Sequence, residues 1–171
     1  VGPGPSPLPS PPAPPSLPGA WSLVAHDSFP GATGWTGTST AVTTCGSLGT
    51  AFVTMLGGPD ELGPGAHVEK TFESLPAHTE LRLAATFYRL DQWNSRRAML
   101  HVDGGLAWIT GAQTHSYGRK SIPFCGQTSP YNGDDDTFEV DLVVRHVASS
   151  VSLRFTTDME SGDQYKGFWG I

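Results

Sequence analysis

The sequence predicts an all-β domain, a two-sheet antiparallel sandwich behind an N-terminal polyproline II arm. Three observations predict it. Apolar and polar residues alternate through most of the chain after residue 20. No window of helical apolar spacing is free of Gly or Pro. Nine of the fifteen prolines stand between Val1 and Gly19. A jelly roll is the first choice of sandwich and an immunoglobulin-like one the second. The division is residues 1–19 for the arm and 20–171 for the domain.

The arm reads VGPGPSPLPSPPAPPSLPG and carries no charge. Proline fixes φ and lacks an N–H, so neither a helix nor a sheet interior forms there. At about 3.1 Å per residue, polyproline II gives an extended segment of up to roughly 60 Å. It reads either as a semi-rigid linker or as a decorated, docking arm.

The alternation starts with Trp21, Leu23, Ala25 and Phe29. Phe52 to Leu56 is a short apolar run, and Val68 and Phe72 flank Lys70. Leu81, Leu83, Ala85 and Phe87 alternate with Glu80, Arg82 and Thr86. Ala98, Leu100 and Val102 lead into the turn signal Asp103-Gly104, followed by Leu106 and Trp108. Phe138, Val140, Leu142 and Val144 mark the clearest strand, and Val151, Leu153 and Phe155 the next. Alternation of this kind marks strands with one buried face, eight or nine of them here.

The formal charge is -6 and the basic residues are scattered. A nucleic-acid binder carries a basic stripe, so nucleic acid is not an expected partner. Charged residues make up 15% of the chain, a low share for which attached sugar is one remedy. No apolar run approaches the ~18 residues of a membrane span. With Val1 first and no apolar leader, the chain is expected to be processed or a fragment. Cys45 and Cys125 would be buried thiols in a reducing compartment, but in a secreted protein they make one bridge. Given the Pro-rich arm, the bridge is expected. It would add roughly 4–5 kcal/mol in the chain-entropy model.

Seven segments in order carry a resemblance to a known family. They are Cys45-Gly46, Leu56-Gly57-Gly58, Val68-Glu69-Lys70-Thr71-Phe72, Leu75-Pro76-Ala77-His78-Thr79, Leu90-Asp91-Gln92-Trp93-Asn94, Val102-Asp103-Gly104 and Trp169-Gly170-Ile171. The set resembles a secreted β-sandwich module of green-algal and ciliate extracellular proteins, over about Asp27 to Ile171. Joined to a hydroxyproline-type arm, it is similar to algal wall glycoproteins and flagellar-hair, mastigoneme-like proteins. The resemblance implies an extracellular, glycosylated building block in a cell wall, matrix or flagellar surface. The chain departs from the pattern at Asn94, where the family often has Asp, and at Lys166, Gly167 and Phe168, where it tends to be acidic. Relatives usually continue for a short strand after the residue matching Ile171.

The candidate sites follow. Asp91, Asn94 and Asp103 offer oxygen ligands to Ca²⁺, although Asp103-Gly104 is also an ordinary hairpin turn. Asp134, Asp135 and Asp136 read as a solvated loop tip, with a weak second cation site as the sharper alternative. Among the aromatic residues, including Trp35, Tyr88, Trp108, Tyr117 and Trp169, the exposed sugar-stacking pair is expected at Trp93 and Tyr131. O-linked sugar is expected on hydroxylated Pro5, Pro7, Pro9, Pro11, Pro12, Pro14 and Pro15, and on Ser6 and Ser10. No N-linked sequon is present. The six histidines are dispersed and HExxH and GxSxG are missing, so no enzyme is expected.

The leading expectation is a structural subunit of an extracellular glycoprotein fibre or matrix. It would self-associate into a filament through its arm and an open sheet edge. The alternative is a lectin-like carbohydrate-binding module, calcium-dependent if the metal site forms.

Overall fold

A computed structural model describes residues 21–46, 52–114, 125, 135–160 and 167–171. The arm, with its prolines and Ser6 and Ser10, lies outside the described residues, as do Tyr117, Tyr131 and Asp134. The described elements are all strands: β1 Thr36–Gly37, β2 Val42–Cys45, β3 Val53–Gly58, β4 His67–Phe72, β5 Glu80–Asp91, β6 Asn94–Arg96, β7 Ala98–Val102, β8 Gly105–Ile109, β9 Gln113–Thr114, β10 Asp136–Arg145, β11 Val151–Thr157 and β12 Gly167–Gly170. Twelve strands replace the expected eight or nine because three pieces, β1, β6 and β9, hold only two or three residues each.

The strands form two five-stranded sheets, β1-β4-β11-β7-β8 and β10-β5-β12-β3-β2, with a small β6-β9 ladder beside them. Every pairing is antiparallel. This is the sandwich that the alternation predicted. The longest ladder joins β5 to β10 in unbroken register, from Glu80↔Arg145 to Arg89↔Asp136. Asp103 and Gly104 take φ of 50° and 79°, the left-handed values of the two-residue turn that suits the twist between β7 and β8.

Between the sheets, the Phe87 ring stacks on Trp169 at 5.2 Å and meets the Trp93 edge at 6.2 Å. Leu56, Val68, Leu100, Val140 and Phe155 close around them. β12 runs between β3 and β5 because its glycines let the backbones approach. A Cβ on Gly170 would stand 2.6 Å from Met55 Sδ and 2.9 Å from Leu56 O.

A second, smaller core lies on the opposite face of the β5 sheet. There Met55, Leu90, Cys45 and Cys125 are buried, with Val53, Tyr88 and Phe168 against them. The Cys45–Cys125 disulfide is present, as expected, and holds Cys125 against this face. Asp135 does the same through hydrogen bonds, accepting from the Cys125 N–H at 2.8 Å and the Asp91 N–H at 3.0 Å. The reading of the acidic run as a solvated tip is therefore corrected at Asp135, which is buried, while Asp136 is exposed.

One stretch of alternation forms no strand. Trp21 to Ser28 pairs with no described strand and is held by side chains instead. Asp27 accepts from Lys70 Nζ at 2.7 and 3.0 Å and from Trp35 Nε1 at 2.8 Å, and Phe29 packs on the main core. Trp21, Leu23 and Val24 remain exposed.

Candidate glycan-binding face

The period-two geometry of β5 and β10 sends one set of side chains into the core and the other outward. Arg82, Ala84, Thr86 and Tyr88 of β5 stand opposite Val143, Asp141, Glu139 and Thr137 of β10. These outward residues make a polar strip along the sheet, with Tyr88 at one end against the second core. Small Ala84 and Thr86 lie between the Arg82 and Tyr88 side chains, so the strip is shallow in its middle.

Its polar groups are held in place. Arg82 Nε and Nη2 donate to the two oxygens of Asp141 at 2.8 and 2.7 Å, a two-pronged contact that fixes both planes. Thr86 Oγ1 donates to Glu139 at 3.2 Å. The hydrogen bond from Arg82 holds Asp141 below the usual carboxylate range, and the same bond raises Arg82. Burial raises the Tyr88 phenol, and the nearby Glu139 charge raises it further. The phenol ring offers an apolar wall, and Glu139, Thr86 and the Arg82–Asp141 pair offer donors and acceptors. That is the chemistry a sugar ring needs.

The expected site residues are distributed differently. Trp93 is corrected: it is buried, its ring turned into the core and its Nε1 donating to Phe168 O at 3.1 Å. The chain reverses at Asp91, at a φ of 58°, and Gly167 leaves space for the indole, since a Cβ there would lie 2.6 Å from Trp93 Cδ1. The calcium set is also corrected, because its members do not converge. Asp91 closes β5, and Asn94 is exposed on β6. Asp103 belongs to the far end of the sandwich, where its Oδ2 lies 3.2 Å from His146 Nε2 and the His146 N–H donates to Thr79 O beside Glu80. Eleven strand steps separate Glu80 from Asp91, roughly 35 Å at about 3.3 Å per step. No group of three or more His, Cys, Asp or Glu side chains is placed to hold a metal among the described residues.

Asp103 instead ends a polar chain. His78 Nδ1 meets Pro76 O at 2.6 Å, His78 Nε2 meets His146 Nδ1 at 2.7 Å, and Asp103 Oδ1 accepts from the Ser152 N–H at 2.8 Å. These contacts tie together three connections between strands. Dispersion of the histidines in sequence hid this cluster. The outward strip was foreshadowed by the same alternation that located β5 and β10, had its polar half been read as a surface.

The fold and this face define an all-β sandwich module with an ordered polar–aromatic strip. No protein-family model matches the chain, and no curated protein matches it. Among solved structures it is similar to a family 35 carbohydrate binding module from an environmental isolate. Identity is 16% and the TM-score 0.40, over 82% of this chain and 87% of that one. It is also similar to part of dimeric latent PorU from Porphyromonas gingivalis. There identity is 13% and the TM-score 0.42, over 67% of this chain and 10% of that one. A third is a Paenibacillus cycloisomaltooligosaccharide glucanotransferase complexed with cycloisomaltoheptaose, at 14% identity and a TM-score of 0.39. It is covered over 79% of this chain and 16% of that one. Likenesses at these TM-scores carry no function.

Proposed function

We propose that the domain is a non-catalytic extracellular module that binds a neutral carbohydrate along the outward face of β5 and β10. The observation that supports it is the Tyr88 ring in line with fixed polar groups at Thr86, Glu139 and Arg82–Asp141. Aromatic area gives contact to sugar C–H groups, and polar groups already ordered lose little entropy on binding. The chain's charge of -6 disfavours a polyanionic glycan. The disulfide suits an oxidising compartment, and among the described residues no helix is long and apolar enough to cross a membrane.

The test is titration calorimetry and backbone NMR against soluble neutral polysaccharides such as β-glucans, xylans and mannans. At least one should bind saturably, shifting β5 and β10 resonances. Tyr88→Ala should weaken that binding about tenfold or more, and Glu139→Gln less. Absence of binding across the panel, or binding untouched by Tyr88→Ala, removes the reading.

The structural-subunit reading keeps one specific observation. Trp21, Leu23 and Val24 stay exposed where the arm joins the domain. In that reading the module is an element of a fibre or matrix, with O-linked sugar on the arm.

A further inference from the structure

One end of the sandwich is fastened sheet to sheet. Residues 73–79 join β4 to β5, residues 146–150 join β10 to β11, and Asp103-Gly104 turns β7 into β8. β4, β7, β8 and β11 belong to one sheet and β5 and β10 to the other, so contacts among these connections bind the two sheets. Leu75 N–H donates to Ser149 O at 2.8 Å, His146 N–H to Thr79 O at 3.1 Å and Asp103 N–H to Ser152 O at 2.9 Å.

The rings of His78 and His146 complete the fastening. Their planes differ by 8°, their centroids are 5.0 Å apart, and His78 Nε2 lies 2.7 Å from His146 Nδ1. Rings stacked face to face cannot bring two nitrogens that close. The two therefore lie edge to edge in nearly one plane, where a proton between the nitrogens is aligned with both. Each outer nitrogen of the pair faces a group that only accepts. His78 Nδ1 is 2.6 Å from Pro76 O. His146 Nε2 is buried, 3.2 Å from Asp103 Oδ2 and off the line of a full hydrogen bond. Both outer nitrogens carry a proton, because a lone pair at either place would meet a lone pair.

The bond between the rings needs a third proton, one more than two neutral imidazoles hold. Asp103 supplies the balancing charge, the one charged group within ion-pair distance of either ring among the described residues. Of the other charged residues on these elements, Glu80 and Arg145 stand opposite each other in the β5–β10 ladder, and Glu73 is exposed.

We propose that the His78–His146 pair is a pH-sensitive fastener, closed only while it holds one proton beyond two neutral rings. Loss of that proton leaves two lone pairs facing each other, and gain of another sets N–H against N–H and charge against charge. Either change parts the rings and loosens residues 73–79 from 146–150. In an unfolded chain two histidines hold no extra proton well above pH of about 6.5 and two extra protons well below it. Folding therefore takes up a proton on the alkaline side, where the stability from the pair falls as pH rises. It releases one on the acid side, where that stability falls as pH drops.

The experiment uses the full chain with ring-labelled histidine, followed by nitrogen NMR and amide exchange, together with the Asp103→Asn and His78→Gln variants. At about pH 7, three of the four ring nitrogens of His78 and His146 should be protonated, and Asp103→Asn should reduce the count to two. Protection of the Leu75 and His146 amides, corrected for intrinsic exchange, should be greatest there. It should fall about fivefold or more toward about pH 5 and about pH 9, while that of the Leu90 amide stays level. In His78→Gln the first two amides should lose this dependence. A count of two or four in the wild type overturns the proposal. So does protection that is flat with pH, or a profile that survives in His78→Gln. The nitrogen count is read on the wild-type chain, so a variant that fails to fold leaves the test standing.

Discussion

Tyr88 carries the aromatic part of the proposed site, and its environment makes a prediction of its own. Burial, then the Glu139 charge, raises the phenol above its ordinary value. An unfolded chain therefore releases this proton at lower pH than the folded one. The contribution of Tyr88 to stability is intact below the ordinary tyrosine range and is lost as pH rises through it. NMR titration of the Tyr88 ring should place its midpoint above that of an exposed tyrosine. Glu139→Gln should bring the midpoint only part of the way back, because burial is the larger cause. A full return in that variant would show that charge alone sets it. At the same scale, Asp135 shows what one-dimensional reading misses. Its two oxygens are spent on the N–H groups of Asp91 and Cys125. Nothing in an Asp-Asp-Asp run says which carboxylate turns inward, because the partners come from elsewhere in the chain.

Among the strands, β5, β7, β10 and β11 were legible because their alternation is long and each buries one face. β12 was not legible as a central strand. Its Gly-Phe-Trp-Gly stretch has no periodicity, and its position follows from close approach to β3 and β5. The Trp21–Phe29 stretch failed in the opposite sense. It alternates as well as any strand, but alternation describes side-chain faces and does not supply a ladder partner. The dependence of β12 on glycine is testable. In Gly170→Ala the new methyl would press on the Leu56 carbonyl, which is backbone and cannot swing aside. Chemical denaturation should show a loss of about 1–3 kcal/mol, the usual cost of overpacking. Gly111→Ala, with open space around it, should stay near wild type.

For the molecule as a whole, two cores share one sheet, and they are secured differently. The core between the sheets rests on ring packing around Phe87, whereas the outer one contains the Cys45–Cys125 bridge, which spans a separation of 80 residues. Replacing both cysteines by serine should cost about 2–5 kcal/mol by thermal or denaturant unfolding. It should also raise hydrogen exchange first on the outward side of β3 and β12. A uniform rise over both sheets would mean that the bridge acts only on the unfolded chain. Sandwich class and bridge were readable from sequence. The polar strip was not, since it depends on which strands become neighbours.

The Asp27 contacts also bear on how the first described residues are attached to the domain. Lys70 and Trp35 grip the one Asp27 carboxylate. Lys70 belongs to β4, which is tied on both flanks, to β1 and to β11. The ion pair is largely shielded, with side chains 14% and 21% exposed, so salt screens it less than it would a surface pair. Asp27 and Lys70 thus clamp the chain that leads into β1 onto β4 through side chains alone, outside the backbone ladders of either sheet.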